Sequence, residues 1–462
     1  MIFFVLWGAL FGAPAWAGSV KISEVVGKLQ RKIPELPLSA CASLHKDYEN
    51  LYGLTPDRID SDDLKWNHTA IARHAFLSRL ALRERVRAWE RETGGQAIAN
   101  SCIRPVRDLL RALRYLEESA AVAGVRPRAY DSKSPAPYLQ LSPQSRELRF
   151  PRDLKSGDVL VSRGNAPTSA LIARLGDTDG QFSHAALVYV APKSGRTYVM
   201  EEHIEVGSTF RSYEEYAKDQ NVRVTVYRHQ DERLAAEAAR LMMKRLYSPN
   251  DPNVVPYDFG MKMDDSSEMF CTEIVYEAFK MASRGKVRIG RYRTTFNPKN
   301  RDLLDRFGVR TDSMYAPSDM EIEPEFELLG EWRDLSRVTT NQMMDAVLTK
   351  VLEWGDLGYR FDPSAGMTIK SHLGFWLRKL GLKKKALPTN MPRQTIETVL
   401  ALDPTVNVLL GGLARENARR ESGGLLPLGF QQMFDFLERF RLKDEQLYKQ
   451  GKESGFHLWF HR

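Results

Sequence analysis

Apolar residues recur at helical spacing, every three to four positions, in the first quarter of the chain. One such stripe lies within residues 70–90, where charged Arg and Glu residues occupy the opposite face. A second run of this kind covers residues 106–122. The positions of the first stripe are Ile71, Ala75, Leu82, Val86 and Trp89. The pattern predicts an N-terminal helical region at residues 18–130.

The pattern changes after residue 130. Pro135, Pro137 and Pro143 stand among several serines and predict a linker at residues 131–147. Further along, runs rich in β-branched residues predict short strands, and two runs with helical spacing predict helices. The predicted strands are 158–161, 185–190, 197–204 and 222–227, and the predicted helices are 232–247 and 271–281. This mixture predicts an α+β domain with a short antiparallel sheet at residues 148–335.

The remaining chain, residues 336–462, returns to helical spacing, and one amphipathic run covers residues 430–447. Residues 370–385 combine apolar with basic side chains, as does a helix that lies on a membrane surface. Most amphipathic helices pack on a protein core instead, and that interpretation is favoured. Peripheral membrane contact through residues 370–385 is the second interpretation of this segment.

The first 17 residues predict a signal peptide. Residues 2–11 are apolar and uncharged, and Ala15-Trp16-Ala17 offers small residues for cleavage before Gly18. A buried N-terminal helix or an uncleaved anchor is the alternative. No later stretch approaches about 20 uninterrupted apolar residues, so the mature chain is not expected to span a membrane. We therefore expect export to the periplasm or cell envelope.

The composition is that of an ordinary soluble protein: 462 residues, 43% hydrophobic and 27% charged. The net charge of +8 fits anionic surroundings such as a cell wall or lipid headgroups, and it fits solubility alone equally well. The sequence contains no C-x-x-C, no H-E-x-x-H and no glycine-rich phosphate loop. No metal, other cofactor or nucleic-acid partner is therefore expected, and the oligomeric state stays open.

The expected export makes it possible to infer the redox state of the three cysteines. In an oxidising compartment, paired cysteines usually form a disulfide and a leftover cysteine suggests a reactive thiol. Cys41 and Cys102 both lie in the predicted N-terminal helical region, whereas Cys271 stands alone far downstream. We expect a disulfide between Cys41 and Cys102 and a free thiol at Cys271. Three unpaired buried thiols are the alternative.

Cys271 and His184 are the candidates for cysteine-based hydrolysis, which needs a thiolate and a base. Cys271 follows a polar loop and opens the predicted helix at 271–281, where exposed N–H groups and the helix dipole favour an anion. His184 begins a predicted strand directly after a polar loop, a position from which a side chain can face a cleft. A structural role is the common alternative for a single histidine.

The group that orients the base is expected on the neighbouring strand. If Val190 pairs with Thr197, Glu201 and His203 share a face with the candidate histidine, because side chains alternate along a strand. A shift of one residue would place Glu202 on that face instead. Glu201 is thus the first candidate, and His203 or Glu202 the next. A solvated charged edge without a catalytic role is the alternative.

Seven short strings of the chain carry a resemblance to a known family. They are residues 157–160, 162–165, 183–188, 198–201, 257–259, 270–276 and 316–319. In this order they resemble the YiiX/YebB-type enzymes, which are permuted papain-fold cysteine hydrolases of the NlpC superfamily. The resemblance covers residues 148–332 and implies the order histidine, acid, cysteine, whereas ordinary papain-like enzymes place the cysteine first. That family usually has Ser after its cysteine, where this chain has Thr272.

The resemblance implies a catalytic triad of Cys271, His184 and Glu201, with the Cys271 N–H and Tyr257 as candidates for stabilising the oxyanion. Together with export, it implies cleavage of an amide bond in cell-wall peptides. Permuted relatives include lipid acyltransferases, so a lipid or thioester acyl hydrolase or transferase with the same triad is a second interpretation. A third is a non-catalytic envelope scaffold or binding protein with a degenerate papain-like core.

Overall fold

A computed structural model of the chain shows a seven-stranded sheet with helices before it, on it and after it. The predicted signal peptide at 1–17 and the amphipathic segment at 370–385 lie outside the described residues. The described ranges are 19–124, 138–219, 221–247, 255–263, 265–287, 289–297, 301–362, 390–452 and 454–462.

Helices make up both flanks of the sheet region. The periodic stripes of the sequence lie inside longer helices, because the polar residues around each stripe continue the same helix. The helices are α1 (Ile22–Lys32), α2 (Ser43–Tyr52), α3 (Ser61–Glu92), α4 (Asn100–Gly124), α5 (Pro167–Ile172), α6 (Tyr213–Tyr216), α7 (Glu232–Leu246), α8 (Cys271–Ser283), α9 (Arg301–Phe307), α10 (Leu335–Asp356), α11 (Arg393–Ser422) and α12 (Phe430–Lys449).

The large sheet is antiparallel throughout, in the order β1-β9-β6-β2-β3-β4-β5. Two further two-stranded pairings, β7 with β8 and β10 with β11, complete the described strands. The strands are β1 (Tyr138–Leu141), β2 (Val159–Arg163), β3 (His184–Val190), β4 (Thr197–His203), β5 (Gly207–Ser212), β6 (Arg223–His229), β7 (Thr294–Thr295), β8 (Ser313–Met314), β9 (Phe326–Arg333), β10 (Arg360–Phe361) and β11 (Phe460–His461). The predicted α+β class is confirmed in this coarse sense.

The two faces of the sheet have different partners. Alternate residues such as Ala185, Leu187 and Met200 belong to one core with Ile274 and Val275 of α8, and α7 packs on the same face. Their strand neighbours belong to a smaller core on the opposite face; these neighbours are Ala186, Val188 and Val199. The period of two along the strands therefore divides the side chains between two separate cores.

Three strands of the sheet were not predicted from the sequence. β1 lies inside the range 131–147 that the prolines mark as a linker, and it pairs with β9 at the edge of the sheet. β9 contains Glu331 and Arg333, which are charged but buried. Because these charged residues point inward, the sequence of β9 does not show the polar–apolar alternation that would predict a strand. β5 is rich in Gly, Ser and Thr and gives no clear hydrophobic pattern.

The inward-pointing charges of β9 bind the N-terminal helices to the sheet. Arg79 of α3 contacts Glu331 at 2.6 Å and Glu117 of α4 at 3.0 Å. Arg333 contacts Glu117 at 2.7 Å and Glu331 at 2.6 Å. All four side chains are almost fully buried. We call Arg79, Glu117, Glu331 and Arg333 the ionic cluster; within it every charge has partners of the opposite sign, which burial requires.

Cys41 and Cys102 form a disulfide with a Cα–Cα distance of 5.3 Å, and Cys271 is free. The bridge joins the segment before α2 to the first turn of α4, within the core of the N-terminal helices. It therefore ties α4 to a segment 61 residues earlier in the sequence.

Removing this bridge is expected to destabilise the protein. The cysteines are 61 residues apart, and cross-linking a long loop restricts the unfolded chain, so the double variant C41S/C102S should lose about 2–4 kcal/mol of unfolding free energy. Urea unfolding of the oxidised wild type and the variant measures the difference. Identical unfolding midpoints would contradict the prediction.

The C-terminal helices α10, α11 and α12 pack on the sheet region and share its main core. Among the described helices, α11 has the length and composition to cross a membrane, but half of its most apolar window is buried against the rest of the protein. In this structure, α11 contacts α9, α10 and α12.

Candidate active site

Cys271 is the first residue of α8, and it is buried and unpaired. The first N–H groups of a helix have no intrahelical partner, and with the helix dipole they favour negative charge at this end. The neighbouring Thr272 hydroxyl donates a hydrogen bond to the carbonyl of Tyr315. This contact fixes the start of the helix, and with it the position of the thiol.

His184 is the first residue of β3, and its Nε2 lies 2.9 Å from Oε1 of Glu201 on β4. The pairing of these strands has the predicted register, with Val190 opposite Thr197 and Ala186 opposite Glu201. The charge of Cys271 also acts on the imidazole of His184. Residues from two strands and one helix terminus therefore meet at this end of β3 and β4.

Glu201 is fully buried and has three neighbours that carry or can carry positive charge. Its Oε2 accepts a hydrogen bond from Nε of Arg211 at 2.8 Å and lies 3.5 Å from Nε2 of His203. Burial alone would raise the pKa of Glu201, but the hydrogen bond from His184 and the nearby His203 imidazole hold it well below its usual range. The carboxylate is therefore ionised and can hold an imidazolium.

The pKa of His184 reflects the same contacts. Burial alone would lower it, but the interaction with Cys271, the hydrogen bond to Glu201 and the charges of both residues raise it to about 10. The imidazole is therefore protonated at neutral pH. A protonated imidazole beside a thiol at a helix N-terminus favours the thiolate, which is the nucleophilic form of cysteine.

Comparison with known families identifies this region. Residues 153–345 match the family described as permuted papain-like amidase enzyme, YaeF/YiiX, C92 family. The match supports a permuted papain fold for this part of the chain. It also supports a cysteine hydrolase of the amidase or peptidase type. Neither curated proteins nor solved structures give a significant match.

The other residues singled out in the sequence lie around this candidate active site. Tyr257 is buried, its backbone pairs with Met269, and the charge of Cys271 acts on its hydroxyl. The His203 ring is 5.1 Å from the His184 ring. Glu202 is buried on the opposite face of β4 from Glu201 and has no hydrogen bond to either carboxyl oxygen.

Two residues of the centre were missed by sequence reasoning. Arg211 holds Glu201 and also pairs with Asp219, and its strand β5 was not recognised as a strand. Asn390 donates to the carbonyl of Tyr257 at 2.6 Å and so ties the C-terminal region to the segment beside the nucleophile. For Arg211, the signal available was a hairpin turn after His203, which would have placed a third strand beside Glu201.

One group of side chains among the described residues could hold a metal ion. Candidate ligand atoms of His184, Glu201 and His203 lie within 4.8 Å of one another. However, Oε1 of Glu201 already contacts His184, and Oε2 accepts from the Arg211 guanidinium, whose charge would repel a cation. The donor set fits an oriented imidazole better than a metal centre.

Proposed function

We propose that the protein cleaves an amide bond with Cys271 as nucleophile, His184 as general base and acid, and Glu201 as the residue that orients the imidazole. The observation that carries this proposal is the 2.9 Å contact of His184 with Glu201 in a place where Cys271 also acts on the imidazole, and together they raise its pKa to about 10. A buried carboxylate, an imidazole and a thiol in this order are the parts that thiol-based acyl transfer requires.

The reaction would proceed in two halves. The Cys271 thiolate attacks the carbonyl carbon, a C–S bond forms, and the carbonyl π electrons move to oxygen. As the tetrahedral intermediate collapses, the C–N bond breaks and His184 donates its proton to the leaving nitrogen. Neutral His184 then takes a proton from water, which attacks the thioester. The C–S bond breaks, and the acid product leaves the thiolate and the imidazolium restored.

Charge on the carbonyl oxygen also needs a partner during attack. The Cys271 N–H points out of the first turn of α8, where no intrahelical acceptor exists. Tyr257, whose hydroxyl is affected by the charge of Cys271, is a second candidate donor, and burial raises the pKa of this hydroxyl and so keeps it protonated. Removing one donor of this kind typically slows the reaction by about 10²–10³-fold.

Cell-wall peptides are the proposed substrate class. The family assignment gives amide chemistry, and the predicted signal peptide at residues 1–17 would deliver the enzyme to the periplasm or cell envelope, where such peptides occur. Membership of the NlpC superfamily, as the sequence resemblance implies, would fit the same substrate. Lipid or thioester acyl groups are the second candidate, favoured by the basic amphipathic pattern of residues 370–385.

Digestion of purified peptidoglycan tests the substrate proposal. The wild-type chain should release new amino and carboxyl termini from stem peptides, visible by mass spectrometry of the soluble fragments, whereas Cys271→Ala should release none. Phospholipid vesicles with the same two proteins provide the comparison. Release of fatty acid from vesicles without cleavage of peptidoglycan would replace the first candidate by the second, and equal activity of Cys271→Ala would contradict the proposed nucleophile.

A further inference from the structure

Glu202 is an acidic residue beside the active site for which the proposed mechanism has no role. It follows Glu201 on β4, so its side chain lies on the opposite face of the strand. Met200, on that same face, belongs to one core with α8, the helix that Cys271 begins. Glu201 thus contacts the imidazole from one face of the sheet, and Glu202 lies on the face that supports the nucleophile.

The environment of Glu202 offers it no partner. The residue is 1% exposed, and neither carboxyl oxygen makes a hydrogen bond. Ser208 is opposite on β5, but its hydroxyl is engaged by the N–H of Val255. A buried carboxylate without a partner is far more costly than a buried neutral acid, so Glu202 is expected to keep its proton.

The groups that face Glu202 support the protonated form. Burial raises its pKa to about 10, and the charges of Cys271 and Glu273 of α8 act in the same direction. Arg245 of α7 and His184 of β3 act in the opposite direction but do not outweigh burial. Tyr257 also lies within electrostatic reach. At neutral pH, Glu202 is therefore an O–H donor without an acceptor, within electrostatic reach of Cys271.

We propose that Glu202, as a neutral carboxylic acid, is a further catalytic residue that donates a hydrogen bond to the substrate's acyl oxygen when Cys271 attacks. The inference rests on the proposed function, because that oxygen gains negative charge only in such a reaction. The proton stays on Glu202, so no additional transfer step is needed. This donor has no acceptor until the oxyanion forms, so it stabilises the transition state more than it stabilises the free enzyme. Such a difference in stabilisation is the condition for faster catalysis.

A purely structural role would not explain the residue well. An apolar side chain of similar size would fill the same space without leaving polar atoms unpaired, and such replacements are often neutral or stabilising. Keeping an unpaired acid at this position is a cost to folding, and costs of this kind are typical of active sites.

Two reactions of Cys271 separate the proposed role from a general effect on the thiol. Acylation by p-nitrophenyl acetate passes through a tetrahedral oxyanion, whereas alkylation by iodoacetamide occurs at a saturated carbon and forms none. Both adducts are measured by mass spectrometry at pH 7 in the full chain. Glu202→Leu removes the donor, Glu202→Gln retains an N–H donor, and Glu214→Gln changes an exposed glutamate of α6 as the matched control.

Glu202→Leu should slow acylation by about 10²-fold while alkylation stays near the wild-type rate, and Glu202→Gln should recover most of the acylation. Acylation of Glu202→Leu at the wild-type rate would overturn the assignment, and so would an equal loss of acylation and alkylation. Those results would leave the triad intact. If wild-type Cys271 reacted with neither reagent, the proposed function itself would fail.

Discussion

Replacing His184 with alanine is expected to slow alkylation of Cys271 at pH 6 by tenfold or more. An ordinary thiol with a pKa near 8.5 is only about 0.3% ionised at pH 6. In the wild type, His184 keeps its proton up to a pKa of about 10, so the imidazolium that favours the thiolate is present throughout the range from pH 6 to 9. The variant has no such cation beside the thiol, and its reactivity should rise only as an ordinary thiol ionises.

The measurement is the rate of iodoacetamide adduct formation at Cys271 from pH 5 to pH 9. His203→Ala is the matched control, because this histidine lies 5.1 Å from the His184 ring and interacts with Glu201 rather than with the thiol. It should retain most of the reactivity at pH 6. Equal rates in the wild type and His184→Ala at pH 6 would contradict a thiolate–imidazolium pair.

Replacing Arg333 with methionine is expected to cause the largest loss of stability. Arg333 is fully buried and neutralises Glu117 and Glu331 of the ionic cluster, and it also contacts Glu118 at 3.2 Å. Without it, several buried carboxylates face only the remaining cations. Removing one partner of a buried ion pair usually costs about 3–5 kcal/mol, because the other charge stays buried without compensation.

Urea unfolding of Arg333→Met and of Arg240→Met measures this effect against an exposed pair. Arg240 pairs with Glu237 at the surface of α7, where both side chains are more than two-fifths exposed. Loss of an exposed pair typically changes stability by less than about 1 kcal/mol. Similar unfolding midpoints for both variants would show that the ionic cluster contributes far less than its burial implies.

The sequence predicted those parts of the fold whose patterns belong to one element. The helix at 271–281, the strands at 185–190 and 197–204, and their register all appear in the structure with small shifts at their ends. Each shows a repeated apolar stripe or a run of β-branched residues, and a tight turn sets the register of the hairpin. These local patterns were sufficient to bring His184 and Glu201 together.

Other features depend on contacts between distant segments, and the sequence pattern could not reveal them. The charged side chains of β9 are buried only because Arg79 and Glu117 reach them from helices more than 200 residues away. The same holds for Arg211, which supports Glu201 only once β5 pairs with β4. In both cases tertiary ion pairs determined the outcome.

The ionic cluster also limits which segment of this enzyme could be fused to another protein. The family match begins at residue 153, but Glu331 and Arg333 of that segment are matched by Arg79 and Glu117, which lie before it. A gene fusion that carried only the matching segment would inherit buried charges without their counterparts. The segment that matches the family model is therefore shorter than the segment needed for a working protein. The longer segment also includes the helices of the first 124 residues.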